Sequence, residues 1–255
     1  MSLNSIATRR VFCAGLAALS FGLRPSLAGP KPQKDMNIRG QYLGIIDIYQ
    51  DNDPFDLDIA WELGVRAIIH GATYTHRGCH ADNKYIARKA KALSMGFLWG
   101  AYCMMTAEDV HLQLERFLNS EDGSNQNILM ALDWEPNHCG PASYDQIRQA
   151  VSAFRDRLGF YPIIYGSPYF SLHQIKEGDA LLAKCPLWYA NYSGNDTPKS
   201  PPPAATWKDY TLWQFDDEHR NNGAPYPATV LAGADWSKFK GSFDELREAW
   251  PFRHT

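Results

Sequence analysis

The chain alternates short, nearly continuous apolar runs with stretches of helical periodicity, and this alternation limits the fold more than any other property. The runs lie at 42–48, 65–70, 97–103, 128–133, 161–165, 186–190, 210–215 and 232–235. A strand with one wet face alternates apolar and polar residues, so unbroken runs suit strands covered on both faces. Between the runs, Ile147, Ala150, Val151, Phe154 and Leu158 make a helical stripe, opened by Ser143 and Gln146 at capping-box spacing. Val110, Leu114, Phe117 and Leu118 mark a second helix, with Thr106 as its expected cap. Ile86, Ala90 and Leu93 mark a third, closed near Gly96. Strand and helix in regular alternation predict a parallel sheet, and eight candidate strands predict an α/β fold. The expected architecture is a single (β/α) barrel, TIM-like, with irregular or incomplete later helices.

The rest of the sequence bounds what such a barrel does. The 255 residues are 45% hydrophobic and carry a net charge of −3 with no long basic run, which argues against phosphate-driven nucleic-acid binding. At the N-terminus, Arg9-Arg10 precedes the short apolar stretch 13–23, and Ser26-Leu27-Ala28 follows. The pattern resembles a twin-arginine signal, whose cargo is exported already folded; the stretch is too short and too rich in Gly and Ala to span a bilayer stably. An uncleaved N-terminal anchor is the other reading. The expected organisation is a signal peptide at 1–28, a polar, Pro-containing linker at 29–40 and a barrel domain at 41–250. The mature chain is then periplasmic or extracellular, has no stable membrane span and meets the twin-arginine export machinery as a partner. Cleavage after Ala28 removes three arginines and no acids, leaving a net charge of −6. Cys79, Cys103, Cys139 and Cys185 remain, with their pairing open; no C-x-x-C is present, which disfavours structural zinc.

Chemistry in parallel α/β folds gathers at the C-terminal ends of strands, and acids recur there. Asp47 ends the first run, Asp133 and Glu135 the fourth, and Asp235 the last. Residues i and i+2 of a strand point the same way, so Asp133 and Glu135 share one side of a pocket. Like charges in one pocket keep one carboxyl protonated and leave another ionised. Glycoside hydrolysis needs that division: an acid for the leaving oxygen, and a carboxylate that stabilises positive charge or activates a nucleophile. Tyr102, Trp134, Tyr165, Trp188, Tyr189 and Trp213 lie at or near strand ends, where flat rings pack on sugar C–H faces. For Trp188 and Trp213, core packing is as good a reading. His70, His76, His80 and His138 read as solvated loop histidines, and nothing calls for a metal or a cofactor. There is no G-x-S-x-G elbow and no glycine-rich phosphate loop.

Seven segments, in order over about 42–248, together resemble glycoside hydrolase family 25, the cellosyl-type muramidases (lysozymes). They are Gly44-Ile45-Ile46-Asp47-Ile48, Gly100-Ala101-Tyr102, Leu132-Asp133-Trp134-Glu135, Ile164-Tyr165-Gly166-Ser167-Pro168, Leu187-Trp188-Tyr189-Ala190-Asn191-Tyr192, Leu212-Trp213-Gln214-Phe215 and Ala234-Asp235-Trp236. The resemblance implies a β/α barrel that hydrolyses the β-1,4 bond between N-acetylmuramic acid and N-acetylglucosamine in peptidoglycan or a related polysaccharide. It implies Glu135 as general acid, Asp133 as partner carboxylate, and Asp47 and Asp235 as further carboxylates of one catalytic cleft. Tyr102, Tyr165, Tyr189, Gln214 and Trp134 are the candidate substrate contacts.

The chain departs from that pattern around the sugar subsites. Tyr49 stands where the family usually has a serine, His70-Gly71-Ala72-Thr73-Tyr74 replaces K-A-T-E-G, and Cys103-Met104 replaces the His-Phe after G-A-Y. Two other functions compete: a chitinase-like hydrolase of another N-acetylated glycan, and a non-catalytic cell-wall polysaccharide binder. A chitinase-like D-x-D-x-E would need an acid at Ala131, and a binder has little need for four clustered carboxylates.

Overall fold

The computed structural model describes residues 44–75, 78–120, 127–168, 171–192, 197–217 and 228–254. The signal and linker segments and His76 lie outside the described residues, as does the side chain of His80. Nine strands form: β1 (Gly44–Ile48), β2 (Val65–Thr75), β3 (Gly78–Ala81), β4 (Leu98–Met104), β5 (Leu129–Asp133), β6 (Ile163–Gly166), β7 (Leu187–Ala190), β8 (Leu212–Asp216) and β9 (Asp235–Phe239). Their order is β1-β9-β8-β7-β6-β5-β4-β2, and a β1–β2 pairing closes this ring into a barrel, while β3 hangs from β2 as a hairpin arm.

Within the closed ring, the strands run parallel except for one. β9 runs antiparallel to both its neighbours, β1 and β8. The sequence reading had Asp235 ending the last strand; it begins β9 instead. Because β9 runs backwards, its first residue reaches the rim where the other strands finish, paired with Asp47.

The helices are α1 (Leu57–Glu62), α2 (Tyr85–Met95), α3 (Val110–Ser120), α4 (Tyr144–Leu158) and α5 (Phe243–Ala249). α4 carries the expected Ser143/Gln146 capping box and stops at Gly159, whose φ of 82° is the left-handed conformation glycine adopts without strain. α3 is capped by Asp109, whose side chain accepts from the Leu112 amide. Thr106 is not that cap; it is tied to the Gln113 side chain. α1 and α5 escaped the sequence reading because six or seven residues are too few to display a periodic stripe. Between β6 and β8 only 3₁₀ turns cover the barrel among the described residues, at Leu172–Gln174 and Leu182–Lys184, as the irregular later pattern led us to expect.

Strand alternation divides the apolar residues into two cores. Ile45, Ile69, Leu129, Ala131, Ile163 and Leu212 fill the barrel, closed below by Leu246, Trp250 and Phe252. Ile46, Ile68, Trp99, Leu132, Trp134 and Trp213 point the other way, into the layer under the helices. Both faces of the parallel barrel strands are therefore largely dry, which is why the runs read as unbroken. Cys103 and Cys185 are buried free thiols, and Cys139 is disulfide-bonded. No described helix is long and apolar enough to cross a membrane.

Candidate active site

The inward positions change character toward the rim. On β5 the inward series runs Leu129, Ala131, Asp133, so two apolar side chains are followed by a carboxyl, and Glu135 continues just past the strand. Asp47 on β1, Asp235 opening β9, Tyr102 on β4, Tyr165 on β6 and Gln214 on β8 come from the same parity of their strands. All of them line one cleft of about 220 Å³. Tyr102 lies flat against β2 because residue 71 is glycine: a β-carbon there would sit 3.0 Å from the Tyr102 hydroxyl oxygen.

Gln214 sits at the centre of the polar contacts. Its Nε2 donates to both oxygens of Asp47, at 2.9 Å each, and to Asp235 Oδ2 at 3.3 Å. Its Oε1 accepts from the hydroxyls of Tyr165 and Tyr192, at 2.7 Å each. Carboxylates on one side and hydroxyl donors on the other settle which end of the amide is which. Asp133 is treated differently. Its Oδ1 is buried and has no hydrogen-bond partner among the described residues.

Burial governs the protonation of these acids. It lifts Asp47 to about 7, against the opposing hydrogen bonds from Gln214. Glu135 also rises to about 7, through burial and then the Asp47 charge. Asp133 is pushed well above the carboxylate range by burial first, then by the charges of Glu135 and Asp47. The hydroxyls of Tyr102, Tyr165 and Tyr192 are all pushed up by burial and by these acids, so they stay neutral donors. The cleft can therefore hold protons on some carboxyls and charge on another near neutral pH.

Two expected contacts are not brought to the cleft. Trp134 falls between Asp133 and Glu135 on the opposite parity; it is fully buried, stacked on Tyr144, with Nε1 donating to the Ala142 carbonyl. Tyr189 likewise points outward, its hydroxyl held by Ser200 and Asn191. Conversely, Asn52, Tyr192 and Asp217 line the cleft without having been singled out as site residues, and so do Trp188, read equally as core, and Tyr49, read only as a departure from the family pattern. Tyr192 and Asp217 each follow the end of a strand, the position that could have revealed them. Trp188 alternates with Tyr189, so an inward Tyr189 was the wrong half of the pair.

The model of the glycosyl hydrolases family 25 matches residues 46–224, from within β1 through β8. The chain belongs to glycosyl hydrolase family 25. It is thereby a glycoside hydrolase. No curated protein matches it by sequence. A family 25 lysozyme from Aspergillus fumigatus superimposes with a TM-score of 0.64 at 25% identity, covering 81% of this chain and 97% of that one. The bacterial lysozyme from Streptomyces coelicolor gives 0.67 at 21% identity, covering 84% and 99%. A muramidase from Trichobolus zukalii gives 0.63 at 23%, covering 82% and 99%.

Within family 25 this chain's departures have a structural account. His70, expected to be solvated, is fully buried on the outward face of β2 and stacked on Trp99. Burial pushes it down to about 3, so the ring is neutral. Nδ1 lies 2.8 Å from the Gly71 carbonyl, which leaves Nε2 as the acceptor for Arg88 at 3.1 Å. Arg88 also donates to the carbonyls of Tyr49 and Asn52. Together they fix the loop after β1, which carries the non-serine Tyr49 onto the cleft wall. No group of three metal-binding side chains occurs among the described residues.

Proposed function

We propose that this family 25 enzyme is a muramidase that hydrolyses the β-1,4 bond between N-acetylmuramic acid and N-acetylglucosamine in peptidoglycan. The observation that carries the reading is the rim itself: Asp133 and Glu135 at i and i+2 at the end of β5 share a cleft with Asp47 and Asp235. Lysozymes and muramidases of similar fold support the choice of substrate. Glu135, held protonated up to about pH 7, delivers its proton to the leaving glycosidic oxygen. A neighbouring ionised carboxylate stabilises the positive charge that develops on the sugar, or activates the nucleophile. Tyr102, Tyr165 and Trp188 supply rings to the cleft wall. The test is incubation of the purified protein with insoluble peptidoglycan, followed by reducing-end and mass analysis of what is released. Fragments with N-acetylmuramic acid at the new reducing end are expected; release from chitin alone, or binding without release, would overturn the assignment.

The export reading rests on Arg9-Arg10 and the short apolar run behind it. A signal at 1–28 and a linker at 29–40 then precede the barrel. Changing both arginines to lysine is expected to leave a folded, uncleaved precursor in the cytoplasm, seen by fractionation and mass. Normal export of that variant would remove the twin-arginine route.

A further inference from the structure

We propose that Gln214 is a positioning residue of the cleft: its amide holds Asp47 as the ionised carboxylate and ties that charge to the Tyr165 and Tyr192 hydroxyls. The inference rests on the glycosidase reading above and refines it by naming which acid carries the charge. Asp47 and Asp133 compete for that role, and their hydrogen bonding separates them. Asp47 has both oxygens accepting from an amide that is neutral at every pH, and donors aimed at a carboxylate favour its charged form. Asp133 Oδ1, by contrast, is buried without a hydrogen-bond partner among the described residues, a place where a charge is costly and a carboxylic acid is tolerated.

The groups around Asp47 agree. It shares the cleft with Asp133 of β5 and Glu135 just past it, Asp217 beyond β8, Asp235 of β9, and Tyr49, Tyr102, Tyr165 and Tyr192. Among the described residues, no lysine, arginine or histidine lines that cleft. The donor the structure places on both Asp47 oxygens is the neutral amide of Gln214. Burial and the Asp47 charge both raise Glu135, whereas at Asp47 burial is opposed by Gln214. Gln214 is itself 1% exposed, with both ends of its amide occupied. It therefore acts on the reaction through Asp47 and the two tyrosines, where the sequence reading had it touching the sugar.

The experiment is the pH profile of kcat/KM on soluble peptidoglycan fragments for the wild type, Gln214→Glu and Gln214→Met. Gln214→Glu keeps the acceptor for the tyrosines and puts an oxygen where the donor was. Gln214→Met removes the donor without adding charge. Losing the donor raises the proton affinity of Asp47, so in both variants the acid limb should move to higher pH by about one unit. An acid limb unmoved in both, with an active wild type, would overturn the proposal. A second measurement uses only the folded wild type: a carbon-13 carboxyl titration, with Asp47 and Asp133 assigned from their Asn variants. Asp47 is expected to ionise at lower pH than Asp133, and the reverse order overturns the proposal even if the variants do not fold. A wild type that titrates in the expected order yet cleaves no peptidoglycan would instead sink the muramidase reading.

Discussion

The two ends of the barrel interior are built from the same strands and could hardly differ more. At the floor, Leu246, Trp250 and Phe252 seal the barrel, and the Trp250 indole donates to the carbonyls of Trp99 and Asn127. At the rim, less than a strand length away, Asp47, Asp133, Glu135, Asp217 and Asp235 face one another. Strand pairing fixes the backbone at both ends, so the difference is one of side chains alone. The floor places apolar area out of water, and the rim places carboxyls there, where their charge is costly. Stability is thus concentrated below and reactivity above, and substitutions at the two ends should separate the two properties.

The largest effect expected is at the floor. Trp250→Ala removes a buried indole and both its hydrogen bonds, and should cost about 3–5 kcal/mol of stability. Denaturant unfolding measures this, while kcat per folded molecule should stay close to that of the wild type; a matching fall in kcat would mean that the two ends are not separable. At the rim the signature inverts. Glu135→Gln keeps the shape of the acid but has no proton to give, so turnover should fall by at least ~100-fold with little loss of stability.

A third outcome concerns pH. Glu135 and Asp47 hold protons more tightly folded than unfolded, their values rising from 4.5 and 3.8 to about 7. The folded state binds the excess protons across that window, so the stability these two groups contribute is fully present below about pH 4 and declines as pH climbs to 7. Glu135→Gln should recover on the order of 2 kcal/mol of that loss at pH 8 relative to pH 4. Unfolding curves at the two pH values decide it, and an unchanged slope would mean that the rim acids are not strained by burial. The smallest effect is expected at Gly71→Ala, which pushes the Tyr102 ring into the cleft. We expect kcat/KM to drop about tenfold through KM, with near-normal stability; an unaltered KM would show that the ring has room to shift.

What the sequence made legible follows from parity and length. Asp133 and Glu135 could be paired in advance because i and i+2 on a strand must face one way; Asp47 was legible as the end of its run, and Gln214 only through the family resemblance. Which parity faces in is harder to read when both faces are apolar, and that is why Trp134 and Tyr189 were assigned to the sugar while they pack outward against Tyr144 and beside Tyr210. His70 misled for a related reason: a polar residue in a run suggested a loop, yet Arg88, distant in sequence, satisfies it inside the wall. The reversal of β9 had no local signature at all, since a strand's direction is set by its partners and not by its own residues.

That reversal also governs when the enzyme comes into being. Asp47 is made early and Asp235 near the end of the described chain, yet they are partners across one strand pair. Until β9 slides between β1 and β8, Asp47 is flanked on one side only, and the barrel is an open sheet with an exposed edge. Closing it requires a contact of nearly the greatest sequence separation the fold contains, the kind that forms slowly and late. A chain in which β9 is not yet paired carries Asp47, Asp133 and Glu135 but lacks Asp235 at the rim, so its cleft is unfinished until the last strand is in place.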